Sequence, residues 1–160
     1  MRSIRRILWS QLARDRWVLS LWLGGIALLG FSVAVAITTQ FGDEAERAAI
    51  VQIAAANPAF LFLRGLPDGV SVGAVSFFQG FAFTAVLAGL MSTFLVVRHT
   101  RADEEAGRAE LLGATPIARP SMLVATLVLG TLANLAVVVL LTLAYVAGGL
   151  PFEGSAVSAV

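Results

Sequence analysis

Three runs of this chain carry no charged residue at all: residues 17–42, 69–97 and 121–147, the first two being 26 and 29 residues long. A backbone crossing hydrocarbon has no water to bond to, and a helix satisfies its own N–H and C=O groups, so helices are what such runs can become in a bilayer. About 20 apolar residues suffice to cross the hydrocarbon core. Composition agrees, since 13% of the residues are charged where soluble domains have about 25%. The fold expected is all-α integral membrane. An amphipathic interfacial helix occupies residues 1–16, with spans at 17–42, 71–97 and 120–147. Residues 43–70 form an extracytoplasmic loop with a short helix, residues 98–119 a charged cytoplasmic segment, and residues 148–160 a loop or the start of a fourth span.

The first sixteen residues place Arg2, Arg5, Arg6, Arg14 and Arg16 around Ile4, Leu8 and Leu12, which recur every four positions. With Ile7 and Trp9 widening the apolar face, such a helix suits the headgroup layer. Arg5 and Arg6 before an apolar run, with Ala34-Val35-Ala36 as a cleavage-like site, also fit a signal peptide. The uncharged run is far longer than the roughly 7–15 residues of a signal core, which favours an uncleaved first span. In the next segment Asp43 and Glu46 make a capping-box-like start to an Ala-rich helix reaching about Ala56, ended by Asn57-Pro58. The stretch after it, broken by Gly65, Pro67 and Gly69, suits the outer interface, with Phe60 and Phe62 inserted and Arg64 towards headgroups.

In the second run Ser76, Gly80, Thr84, Ala88 and Ser92 recur every fourth residue, a small-residue ridge of the kind that lets membrane helices approach closely. Gln79 is its polar exception, suited to bonding a neighbouring helix or to lining a pathway. Asn134, at the midpoint of the third run, is expected to hydrogen-bond a partner helix. Thr115-Pro116 is an N-cap and N1 signature, and Pro120 is tolerable at the beginning of a helix. Gly148, Gly149 and Pro151 end the run.

Residues 98–119 are the charge-dense segment between two apolar runs. Arg98, Arg101, Arg108 and Arg119 balance Asp103, Glu104, Glu105 and Glu110. On a helix Arg101 pairs with Glu105, Glu104 with Arg108 and Glu105 with Arg108, each pair contributing roughly 0.2–0.5 kcal/mol. The opposite face carries Ala102, Ala106, Gly107 and Ala109, a low-relief surface that a second protein can approach, with Asp103 and Glu110 at its edge. A solvated connection between two spans would have the same composition.

The run RHTRADEEAGRAELLGA, followed by TPIARPSMLVATLVLGTLANL, resembles the permeases of ABC-2 type exporters, and most of all the actinobacterial group described as polyketide antibiotic exporters, which includes tetronasin export. The likeness covers nearly the whole chain and is most specific over residues 98–112. It implies that the loop between the second and third spans is a coupling helix resting on an ABC ATP-binding subunit, with Arg101, Asp103, Glu104, Glu105, Gly107, Arg108, Glu110 and Leu111 as contact residues. It further implies a bacterial cell membrane, a hydrophobic natural product or drug as cargo, and a chain corresponding to the N-terminal part of a longer permease, packed against further spans or a second half.

Arginine counts orient the spans. Residues 1–16 and 98–119 carry nine of the eleven arginines and the intervening and final segments two, which puts the N-terminus and the charged segment in the cytoplasm. The basic residues do not form the exposed stripe that nucleic acid needs. The sequence has no lysine and no cysteine. A P-loop of the usual type needs a lysine, so ATP hydrolysis is expected on a separate subunit, and no catalytic, cofactor or metal residue is assigned. His99 reads as an interfacial residue. With no charge inside the runs, a proton relay of the kind used by secondary carriers is not supplied. Two functions remain: the membrane subunit of an ATP-driven exporter, or a non-transporting scaffold whose 98–119 loop recruits a cytoplasmic partner.

Overall fold

Helices account for nearly everything in the computed structural model, which describes residues 2–105 and 119–159, with side chains described for residues 4–99 and 123–159. Their order is α1 (Arg2–Gln40), α2 (Glu44–Ala55), α3 (Pro58–Arg64), α4 (Val72–Glu105), α5 (Arg119–Ala147) and α6 (Phe152–Ala159), with no strand among the described residues. Three stretches are long and apolar enough to cross a membrane: Ile4–Gln40, Val72–His99 and Leu123–Ala147. The protein is an all-α membrane protein.

Two features differ from the expected layout. Helix α1 runs unbroken from Arg2 to Gln40, so residues 2–16 are not set off as a separate interfacial helix. No proline or glycine lies before Gly24 to interrupt the hydrogen-bond ladder. Likewise α4 continues to Glu105, carrying the second span into the charged segment without a break. The expected N-cap pair Thr115-Pro116 lies outside the described residues, and Pro120 sits in the first turn of α5.

The shorter helices follow their capping chemistry. The Asp43 carboxylate accepts from the Ala45 N–H at the start of α2. Asn57 does the same for Ala59 at the start of α3, with Pro58 at the first helical position. Asn57-Pro58 therefore begins a helix as well as ending one. Gly65 and Gly149, with φ of 81° and 97°, supply the left-handed turns that follow α3 and α5.

The chain divides into two compact units, residues 1–23 with 88–136 and residues 24–87 with 137–160. Helices α1, α4 and α5 each contribute a stretch to both. In the first unit the buried positions are Gln11, Asp15 and Leu19 on α1, Met91, Leu95 and His99 on α4, and Ala125, Thr126, Leu129 and Ala133 on α5. The rings of Trp22 and Phe94 lie 6.1 Å apart. In the second unit the core is built from Ile26, Ala34 and Ile37 of α1, Val75, Ser76 and Phe78 of α4, and Leu141 and Tyr145 of α5. Most of these steps are of three or four residues, which keeps each set on one helical face.

Glycine makes the second core close. Tyr145 is 2% exposed, and its ring and hydroxyl lie beside Gly30 and Gly80, where a Cβ would come within 3.3 and 3.5 Å of it. A Cβ on Gly148 would overlap the Ala34 methyl, and the Thr38 hydroxyl donates to the Gly148 carbonyl at 3.1 Å. Large apolar side chains on the other faces, Leu21, Leu28, Val86 and Leu143 among them, are exposed, as lipid-facing residues of spans are.

Candidate functional site

The residues expected to contact a partner begin at the end of α4. Arg101, Asp103, Glu104 and Glu105 belong to its last turns, so Arg101 and Glu105 are one turn apart on a continuous helix. Gly107, Arg108, Glu110 and Leu111 lie outside the described residues, as do Ala106 and Ala109. The ridge on α4 divides by burial: Ser76, Gly80 and Thr84 are buried, Ser92 is half-buried and Ala88 lies between them in the same class as Ser92. Asn134 Nδ2 donates to the Ser92 hydroxyl at 2.9 Å and to the Gly130 carbonyl at 2.9 Å. The first is a bond between α5 and α4 of the kind that contributes about 0.6 kcal/mol on average in membranes.

Immediately before that charged end lies a buried polar cluster. Asp15 of α1 is fully buried and His99 of α4 is 3% exposed. The Arg14 guanidinium stands 2.8 Å from His99 Nδ1, and since a guanidinium can only donate, Nδ1 accepts. The imidazole proton is then on Nε2, which donates to Asp15 Oδ2. Arg98 Nε approaches the other carboxylate oxygen at 3.0 Å, an ion pair by distance whose direction is not that of a hydrogen bond. One turn earlier on α1, Gln11 Nε2 donates to the Thr126 hydroxyl of α5 at 3.1 Å. His99, expected at an interface, is instead buried and paired, because Asp15 gives its ring a partner inside the unit.

A second polar assembly, in the other unit, closes the segment after α1. Arg47 is buried, and its Nη1 donates to the Phe41 and Gly42 carbonyls at 2.7 Å each while its Nε donates to the Val70 carbonyl at 2.8 Å. The first two follow the last turn of α1, where helix carbonyls lack intrahelical partners. Arg64 bonds Gln79 of α4 and lies 5.2–6.0 Å from the rings of Phe60, Phe78 and Phe83. It is thus turned onto aromatic faces, while Phe62 stays 94% exposed. Arg64, Asp68, Phe77, Phe78 and Glu153 line an open cleft of about 930 Å³ with apolar and charged walls. Among the described residues no three His, Cys, Asp or Glu side chains gather as a metal site would require.

Sequence reasoning passes over Asp15, Gln11 and Arg47. Leu12 is 40% and Trp9 72% exposed, and burial follows Gln11, Asp15 and Leu19, a face that the apolar repeat of Ile4, Leu8 and Leu12 does not mark. The signal is present as two polar residues spaced by four in line with Leu19.

The arrangement defines an all-α membrane protein with polar ties between its span-forming helices. No protein-family model matches the chain. It is 36% identical over 126 residues, 78% of its own length, to the multidrug efflux system permease protein Rv1217c of Mycobacterium tuberculosis. The aligned part is 23% of that protein, so the chain spans about a quarter of the length of its curated relative.

Proposed function

We propose that the chain is the N-terminal membrane portion of the permease of an ATP-driven exporter of the ABC-2 type, with residues 98–119 docking on a separate ATP-binding subunit and hydrophobic natural products or drugs as cargo. The observation that carries this is the 36% identity to a protein named as a multidrug efflux system permease. It is supported by the placement of the charged segment between two span-forming helices, α4 and α5. The remaining spans or a second half complete the pathway. The ATP-binding subunit supplies the hydrolysis that a lysine-free chain lacks a P-loop to perform. The tetronasin-like group is the finer family likeness, and it rests on residues 98–112.

The orientation this requires is open to direct labelling. Single cysteines at Ser3 and Ala106 are expected to be shielded from a membrane-impermeant thiol reagent in intact cells, and one at Ala55 to react. Labelling of Ala106 from outside would reverse the topology and remove the segment from any cytoplasmic ATPase.

A further inference from the structure

Both helices that flank the charged segment are tied to the same face of α1. The end of α4 is held at Asp15 by Arg98 and His99, and the beginning of α5 is held at Gln11 by Thr126. Gln11 and Asp15 are one turn apart and both are buried, at 5% and 0% exposure. Arg98 and His99 are successive residues, about 100° apart around their helix, so they grip the carboxylate from two directions. Rotation of α4 about its axis cannot preserve both contacts. Arg14 fixes the imidazole from its other nitrogen. A buried carboxylate that loses its partners is strongly unfavourable, so the three-residue grip resists sliding as well as rotation. From His99 the helix continues without interruption to Glu105.

We propose that Asp15 is a positioning residue that makes α1 and the charged end of α4 move as one body, so that a displacement received at residues 98–119 reaches the first helix directly. This rests on the docking role proposed above. Helix α1 then acts as a strut, driven at Asp15 by α4 and braced at Gln11 by α5. A purely stabilising cluster would affect abundance and melting. A positioning cluster affects how much transport each hydrolysis event produces.

The test uses the full-length permease in lipid nanodiscs and liposomes with its ATP-binding subunit, and spin labels at Leu12 and Val97, which are 40% and 45% exposed. With Asp15 present, the label distance is expected to stay constant between the resting complex and the complex trapped with ATP and vanadate. In Asp15→Asn it should change by about 2 Å or more on trapping, the scale of helix shifts in switching proteins. Cargo moved per ATP hydrolysed should fall about tenfold, within the range that allosteric coupling spans, and Asp15→Glu should recover most of it. Co-purification of the ATP-binding subunit should persist in Asp15→Asn. Its absence from wild type as well would count against the docking role, and the label distance in the isolated permease would still report on the tie, narrow in wild type and broad in Asp15→Asn. If Asp15→Asn does not reach the membrane, Arg98→Gln decides, since it keeps the Asp15–His99 bond and alters a side chain 44% exposed. Wild-type transport per ATP in the variant that inserts, or a wild-type distance that shifts as much as the mutant's, overturns the proposal.

Discussion

Glu105→Arg in the full-length permease is expected to abolish export while leaving the protein at normal abundance in the membrane. Glu105 lies on α4 one turn beyond Arg101, and a helix continued through the docking segment proposed above would also set it three residues before Arg108. On that reading reversal removes two favourable pairs and sets three like charges together. On a merely solvated connection this costs no more than about 0.5 kcal/mol, and export persists. Against another protein, like-charge juxtaposition costs several kcal/mol, enough to lower docking of the ATP-binding subunit by orders of magnitude. Insertion is unaffected, because the residue stands outside the apolar part of its helix. Gly107→Trp, which puts a bulky ring on the face expected to be low in relief, should have the same outcome by a different route. Co-purification and export at wild-type levels in both variants would favour the scaffold reading.

Arg47→Ala is expected to produce the largest loss of stability outside the spans. One guanidinium satisfies three carbonyls, of Phe41, Gly42 and Val70, and so joins the end of α1 to the start of α4 across the whole of α2 and α3. Hydrogen bonds to a charged group contribute about 1.5–3 kcal/mol each. Carbonyls freed by the truncation can bond water in its place, so the net loss expected is about 3 kcal/mol, the value of one to two such bonds. Lysine should not rescue it, since a single ammonium lacks the planar fork that reaches two directions at once. The measurement is thermal unfolding in detergent, together with protease cleavage between residues 41 and 71. Melting and cleavage identical to wild type would show that the clamp contributes nothing.

What is legible in the sequence is decided by charge. Absence of charge over 17–42, 69–97 and 121–147 locates the three span-forming helices and Asp43 the start of α2, whereas Asn57-Pro58, read as the end of that helix, also begins α3. What escapes is the direction in which polar side chains point. The apolar repeat of Ile4, Leu8 and Leu12 marks a face suited to the headgroup layer, and it leaves the packing face of α1 unmarked. In a bilayer the outside is itself apolar, so Leu12 and Trp9 can face outward while Gln11 and Asp15 turn inward to find donors and acceptors. Asp15 and His99 are 84 positions apart in the chain, and neither has a local partner that would reveal the pair. Arg47 and Arg64 are hidden in the same way: each reads as a solvated charge until backbone carbonyls or aromatic rings are brought to it by the fold. The charged segment is legible as a segment, and the partner proposed for it rests on the resemblance of RHTRADEEAGRAELLGA, not on its spacing.

The most direct test places a photo-crosslinking amino acid at Ala109, on the face of the charged segment that a helix there would make low in relief, in cells that co-express the full-length permease and its ATP-binding subunit. A crosslinked product containing both proteins, absent when the same group is placed at Ala55, is the predicted result. No product at Ala109, with the permease correctly inserted and the ATP-binding subunit present, would contradict the claim that residues 98–119 are where this membrane protein meets its ATPase.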